Sequence, residues 1–93
     1  HGVGPKYHCE PFIPNFVEFF NTYPDTEIAV GMVLAIEPMF NIGSSNIVKH
    51  KDGWTISTAD RKPSAHFEHE ILVTADGIEV ITDVRNTRGW KPN

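Results

Sequence analysis

The sequence predicts one small domain, or part of one, that is mainly antiparallel β-sheet with little helix of its own. Runs with a period of two recur along it: GMVLAIEPMF from Gly31, WTIST from Trp54, SAHFEHEILVT from Ser64 and IEVIT from Ile78. Turn formers separate these runs at Gly43 to Asn46, Asp52-Gly53, Asp60 to Pro63 and Ala75-Asp76-Gly77. The one long stretch without alternation, Pro11 to Pro24, carries three prolines, which disfavour a continuous helix.

In chain order, the opening HGVGPKYHCEP has three glycines or prolines in its first five residues. That composition calls for irregular backbone, with His1 and His8 on a loop or short extended segment. Pro11 to Pro24 reads as a partly extended, aromatic-rich covering segment, with a short helical turn at Phe16 to Phe20 as the alternative. From Gly31 to Gly43 a strand is expected in which Val33, Ala35, Glu37 and Met39 share one face and Leu34 and Ile36 the other. Pro38 has no N–H to give a ladder, so it places this stretch at an edge, a bulge or a strand end. Ile47 to His50 begins a further strand, and Asp52-Gly53 turns it into WTIST. Ser64 to Thr74 reads as one strand, with His66, Glu68, Glu70 and Leu72 on one face and Phe67, His69, Ile71 and Val73 on the other. A hairpin at Asp76-Gly77 leads into IEVIT, and the tail NTRGWKPN is expected to be irregular with Trp90 exposed.

Composition narrows the function classes. The chain has 93 residues, 40% of them hydrophobic, which suffices for one small core. Eight Lys and Arg against twelve Asp and Glu give a net charge of -4 with no basic stripe, which argues against nucleic acid and anionic membrane as partners. No apolar stretch approaches the roughly 20 residues of a membrane span, and the front has no signal-peptide pattern. The lone cysteine, Cys9, cannot form an internal disulfide, reads as a small packed side chain and suits a reducing compartment, so cytoplasm is the expected location. The chain begins at His1 rather than Met, as expected of a processed piece or an excerpt.

Glu37 is the residue that most needs explaining. A carboxylate inside an alternating apolar run costs several kcal/mol unless a cation or hydrogen bonds compensate it. Glu68 sits in a second such run, and His1 lies on the glycine-rich opening. Together they form a candidate metal set whose oxygen donors and single imidazole suit Mn, Fe(II) or Co better than a thiolate zinc site; solvated carboxylates are the alternative. His8 is a candidate hydrogen-bond donor to a substrate, His66 a neighbour of Glu68 on the same face, and Tyr7 and Trp54 candidate pocket walls, although a Trp heading a strand is more often core. His69 faces away and reads as structural, and His50, between lysines, as solvated. No HExxH, paired CxxC, phosphate loop or GxSxG is present, so the ready-made signatures of zincins, zinc fingers, nucleotide hydrolases and serine hydrolases are missing.

Four ordered stretches together resemble one family, the type I methionine aminopeptidases. They are His1-Gly2-Val3-Gly4 with Tyr7-His8 and Glu10-Pro11; Gly31-Met32 with Ile36-Glu37-Pro38-Met39; Asp52-Gly53-Trp54-Thr55; and Ser64-Ala65 with Phe67-Glu68-His69 before ILVT. The resemblance implies an α+β fold: residues 1–93 as the C-terminal part of a pita-bread (creatinase/aminopeptidase) catalytic domain, mainly antiparallel sheet with little helix in this segment. It implies two divalent metal ions (Co, Mn, Fe(II) or Zn) with His1, Glu37 and Glu68 as ligands, Glu68 bridging. His8 and Glu37 are implied as catalytic residues, and Tyr7, His8 and Trp54 as substrate contacts around a methionine side chain. A hydroxide bridging the metals would attack the first peptide carbonyl, with Glu37 shuttling its proton. The implied substrates are nascent polypeptides that start with Met and continue with a small residue. Met39 and the Phe67-Glu68-His69 group favour this branch over the proline-directed peptidases that share the fold.

The departures are specific. The family has five protein ligands, and its two aspartates precede the glycine-histidine motif, so the N-terminal half of the same domain is an implied partner and this chain alone is expected to be inactive. Asp25, Asp52, Asp60, Asp76 and Asp83 do not replace those aspartates by motif. His66 stands where the family commonly has Gln, Asn15-Phe16 where it often has His-Tyr, and Asn21 to Glu27 is slightly longer than usual. The rival readings are a non-catalytic peptide- or protein-binding module on this fold, a proline-directed peptidase, and a small structural β domain.

Overall fold

A computed structural model describes residues 1–16 and 22–86. The tail with Trp90, and all but Phe16 of the segment Phe16 to Phe20, lie outside them. Among the described residues seven strands follow one another: β1 (Val33–Ile36), β2 (Met39–Asn41), β3 (Ile47–Lys49), β4 (Ile56–Thr58), β5 (Ser64–His66), β6 (His69–Thr74) and β7 (Gly77–Val80). Among the described residues the helical content is a single 3-10 turn, Val84–Asn86. All strand pairs are antiparallel, as expected from the alternation and the short turns. The chain divides into two compact units, His1–Glu37 with Glu68–Asn93, and Pro38–Phe67.

The first unit is a three-stranded sheet in the order β1-β6-β7. Leu34 faces Ile71 and Ala35 faces Glu70 across β1 and β6. Among its described residues the buried hydrophobic ones are Leu34, Ala35 and Ile71, 5%, 3% and 7% exposed. Burial of a side chain the size of Leu or Ile is worth about 1.5–3 kcal/mol. The free edge of β1 is covered by the opening residues. The backbone N of His1 donates to Ala35 O at 3.0 Å, Ala35 N donates to His1 O at 2.8 Å, and Val3 N donates to Val33 O at 3.1 Å. β6 turns into β7 at Gly77, whose φ of +138° suits a residue without Cβ.

In the second unit β2 pairs with β5 and β3 with β4. None of its residues is buried. Polar turns hold it instead. Asp52 accepts from the backbone N of Trp54 and of Thr55 at 3.0 and 2.9 Å, and Asp60 accepts from Ser44 N and Lys62 N at 2.9 and 3.1 Å. Gly53, at a φ of +73°, provides the tight turn between β3 and β4.

Two long strands expected from the alternation are each interrupted. Gly31 to Gly43 yields β1 and β2 with Glu37-Pro38 between them, and Ser64 to Thr74 yields β5 and β6 with Phe67-Glu68 between them. Pro38 has no N–H for a ladder. The β1–β6 ladder ends at Ile36 opposite His69, so one further step would set Glu37 against Glu68, two like charges that oppose pairing. Met39 therefore does not continue the strand face of Glu37, nor does His66 share a strand with Glu68. WTIST is also shorter than expected: the Asp52 carboxylate holds Trp54 and Thr55 in the turn, and the strand starts at Ile56. Trp54 is 88% exposed rather than core.

Candidate metal centre

Glu37 emerges where β1 stops, and its Oε1 lies 2.7 Å from Nε2 of His1. The two are brought together by backbone pairing: His1 bonds Ala35 of β1, and Glu37 stands two residues further on, one past the end of that strand. Both are sheltered, with side chains 13% and 29% exposed. His8 returns on the other arm of a short hairpin closed by Gly2 and Cys9, and its ring centroid is 4.4 Å from that of His1. One potential ligand atom from each of His1, His8 and Glu37 lies within 4.8 Å of the others. Two imidazoles and a carboxylate at that spacing are a donor set for a divalent ion of intermediate hardness.

These groups line a cavity of about 230 Å³, together with Val3, Tyr7, Ala35, Glu68 and Glu70. Glu68 borders the cavity without joining the tight group of three, and it is exposed. Tyr7 is on the cavity wall and 88% exposed. Glu70 has no role in the sequence pattern beyond its place on the face of Glu68, and in the structure it is half-buried opposite Ala35 on the cavity wall. Trp54 and His66 belong to the other unit.

His1 is held above the ordinary imidazole range. The largest cause is its hydrogen bond to the Gly2 carbonyl; burial opposes the shift, and the hydrogen bond and charge of Glu37 and the charge of Glu68 support it. His50 is exposed as expected but pairs through Nε2 with Ser57 Oγ at 2.7 Å, and exposed His69 pairs through Nδ1 with Thr82 Oγ1 at 2.9 Å. Cys9 is half-buried with its thiol against Lys6 O, and free of any disulfide. A larger cavity, about 600 Å³, lies in the second unit between residues such as Met39, Phe40, Ile47 and Ile56. No titratable side chain lines it, so the smaller cavity carries the chemistry. No helix among the described residues is long and apolar enough to cross a membrane.

A metal-capable donor set at the end of an antiparallel sheet defines a class, and the comparisons with known proteins agree: residues 1–75 match metallopeptidase family M24, and the chain belongs to that family. Within it the chain is similar to methionine aminopeptidases. It is 44% identical over 84 residues to that of Aquifex aeolicus, covering 90% of this chain and 32% of the relative. It is 45% identical over 82 residues to methionine aminopeptidase 1 of Saccharomyces cerevisiae, covering 88% and 20%. The crystal structure of the Rickettsia prowazekii methionine aminopeptidase superposes with a TM-score of 0.75 at 41% identity, over 86% of this chain and 32% of that one. The Thermotoga maritima methionine aminopeptidase gives 0.74 at 45% identity, over 88% and 32%. The α+β pita-bread fold expected from the sequence stands on these matches. The chain spans about a third of the length of the bacterial relatives named here.

Proposed function

We propose that this chain is the C-terminal part of a methionine aminopeptidase catalytic domain that removes the initiator methionine from nascent proteins with a small second residue, in the cytoplasm. The observation that carries this reading is the meeting of His1, His8 and Glu37 within 4.8 Å, in a cavity bordered by Glu68, on a chain of family M24. His1, Glu37 and Glu68 are the proposed ligands of two divalent ions, with the remaining ligands supplied by the N-terminal half of the domain. Those ions, when bound, supply Lewis acidity toward the scissile carbonyl and bring the pKa of water toward neutrality. Glu37 takes the proton from the attacking water and passes it to the leaving amine. His8 holds a proton on a ring nitrogen and donates it as a hydrogen bond to the substrate as charge develops. Tyr7 offers an aromatic wall for the methionine side chain. Trp54 and His66 enter the proposal through sequence resemblance alone.

Cation binding must displace the proton of His1, so affinity rises with pH through the titration of that imidazole. In the full-length protein, Glu68→Ala should abolish hydrolysis of a Met-Ala peptide; unchanged turnover would sink the enzyme reading. Competition between Met-Ala and Ala-Pro peptides separates the branches, and a preference for the proline peptide would overturn the methionine assignment. The 93-residue chain alone should show no turnover, because it supplies only part of the donor set.

A further inference from the structure

Gly2 is the most constrained glycine of the site. It is bridged on both sides, to Leu34 of β1 and to Cys9 of the returning hairpin arm. Its N–H is shared between Cys9 O and Pro11 O, both at 3.0 Å. Its carbonyl accepts from Cys9 N at 2.8 Å and from Nδ1 of His1 at 2.8 Å. A Cβ at this position would collide with the backbone carbonyl oxygen of Glu10 and stand 3.2 Å from that of Cys9. Those obstacles are main chain and cannot swing aside as a side-chain tip would. Gly4, two residues on, has nothing within 4 Å of an added Cβ.

The geometry points to Gly2 as a positioning residue for the metal centre: its carbonyl accepts from Nδ1 of His1 and so turns Nε2 toward Glu37, and its missing Cβ lets the hairpin bring His8 beside His1. A carbonyl oxygen and a carboxylate can only accept, so the 2.8 Å contact takes a proton on Nδ1 and the 2.7 Å contact with Glu37 takes one on Nε2. Loss of the Nε2 proton frees that nitrogen for a cation beside Glu37, while the Nδ1–H bond to Gly2 keeps the ring turned that way. The same carbonyl also receives the Cys9 N–H, so whatever moves the hairpin away from Gly2 disturbs the acceptor of His1 and the placement of His8 together. Partners of this kind orient metal-binding imidazoles, and losing one costs about 10–100-fold in metal affinity.

This inference rests on reading His1 as a metal ligand, and its first test needs no turnover. In the full-length protein loaded with diamagnetic Zn(II), ¹⁵N shifts of the imidazole report which ring nitrogen keeps its proton and which meets the metal. Wild type should keep the proton on Nδ1 and meet the metal through Nε2; a bound ion met through Nδ1 overturns the proposal, whatever any variant does. Gly2→Ala should lose that tautomer preference and bind Mn(II) about 10–100-fold more weakly in calorimetry, whereas Gly4→Ala should change neither. Wild-type Mn(II) affinity in a folded Gly2→Ala protein would also overturn it. If Gly2→Ala does not fold, the wild-type tautomer decides. If wild type binds neither Zn(II) nor Mn(II), the proposal falls together with the aminopeptidase reading, whereas an ion bound through Nδ1 overturns the proposal alone.

Discussion

The two units of the chain are built from similar short antiparallel strands but are held by different means. In the unit of His1–Glu37 and Glu68–Asn93, a central ladder buries Leu34, Ala35 and Ile71. In the unit of Pro38–Phe67 no residue is buried, and Met39, Phe40, Ile42 and Trp54 are 65–88% exposed. Carboxylates of Asp52 and Asp60 tie its turns together instead. The difference bears on function. An imidazole and a carboxylate can be kept at 2.7 Å where the backbone beneath them is fixed by a packed ladder, and the donor set sits in the unit with the core. The polar-tied unit offers apolar surface and no comparable group of donors.

The comparison breaks most visibly if chemistry can be removed from the wrong unit. Glu37→Gln in the full-length protein keeps the shape of the side chain but removes its capacity to accept a proton. It should lower kcat for a Met-Ala peptide by roughly 10²–10⁴-fold. His50→Ala, in the polar-tied unit, should leave kcat unchanged. Equal losses from both would show that the donor set is not confined to the packed unit.

A smaller effect concerns stability. Ile71 is 7% exposed and faces Leu34, so Ile71→Ala should cost about 2–5 kcal/mol in urea unfolding. Ile56, 54% exposed, should cost no more than about 0.5 kcal/mol when replaced by Ala. A comparable cost at Ile56 in the full-length protein would mean that other parts of that protein cover the apolar side of the second unit, and the contrast between the units would then belong to this segment alone.

Much of this arrangement was legible in the sequence, for definable reasons. Period-two alternation located the strands, because burial on one face of a sheet selects it directly. Parity put Glu68 and Glu70 together, and both border the cavity. Alternation does not register where a ladder must stop, so the breaks at Glu37-Pro38 and Phe67-Glu68 were missed; they depend on a proline and on which residues face each other across two strands. Pro38 already pointed to a strand end, but the facing of Glu37 and Glu68 needed the register. The exposure of Trp54 was hidden for a similar reason, since its aromatic character suits a strand while the side chain of Asp52 decides its backbone. The closeness of His8 to His1 was also out of reach. It depends on a hairpin closed through the backbone of Gly2 and Cys9, which no side-chain pattern records.

The two units should also respond to pH in opposite senses, the smallest of these effects. The folded-state pKa of His1 is raised, chiefly by the Gly2 carbonyl, so its contribution to stability in the metal-free protein is full below about 6.5 and is lost as pH rises through the folded value. Asp52 and Asp60 are lowered, Asp52 chiefly by the Thr55 hydroxyl and Asp60 chiefly by the Ser44 N–H. Their contributions are therefore present above the unfolded value of 3.8 and lost as pH falls through the folded ones. Two-dimensional NMR titration reads both ends. The His1 ring should titrate above a free histidine, and an added divalent ion should pull that midpoint down. The amides of Ser44, Trp54 and Thr55, which donate to the two aspartates, should shift only below pH 3.8. Amide shifts centred at or above 3.8 would mean that the aspartates do not hold these turns, and the second unit would need another source of order.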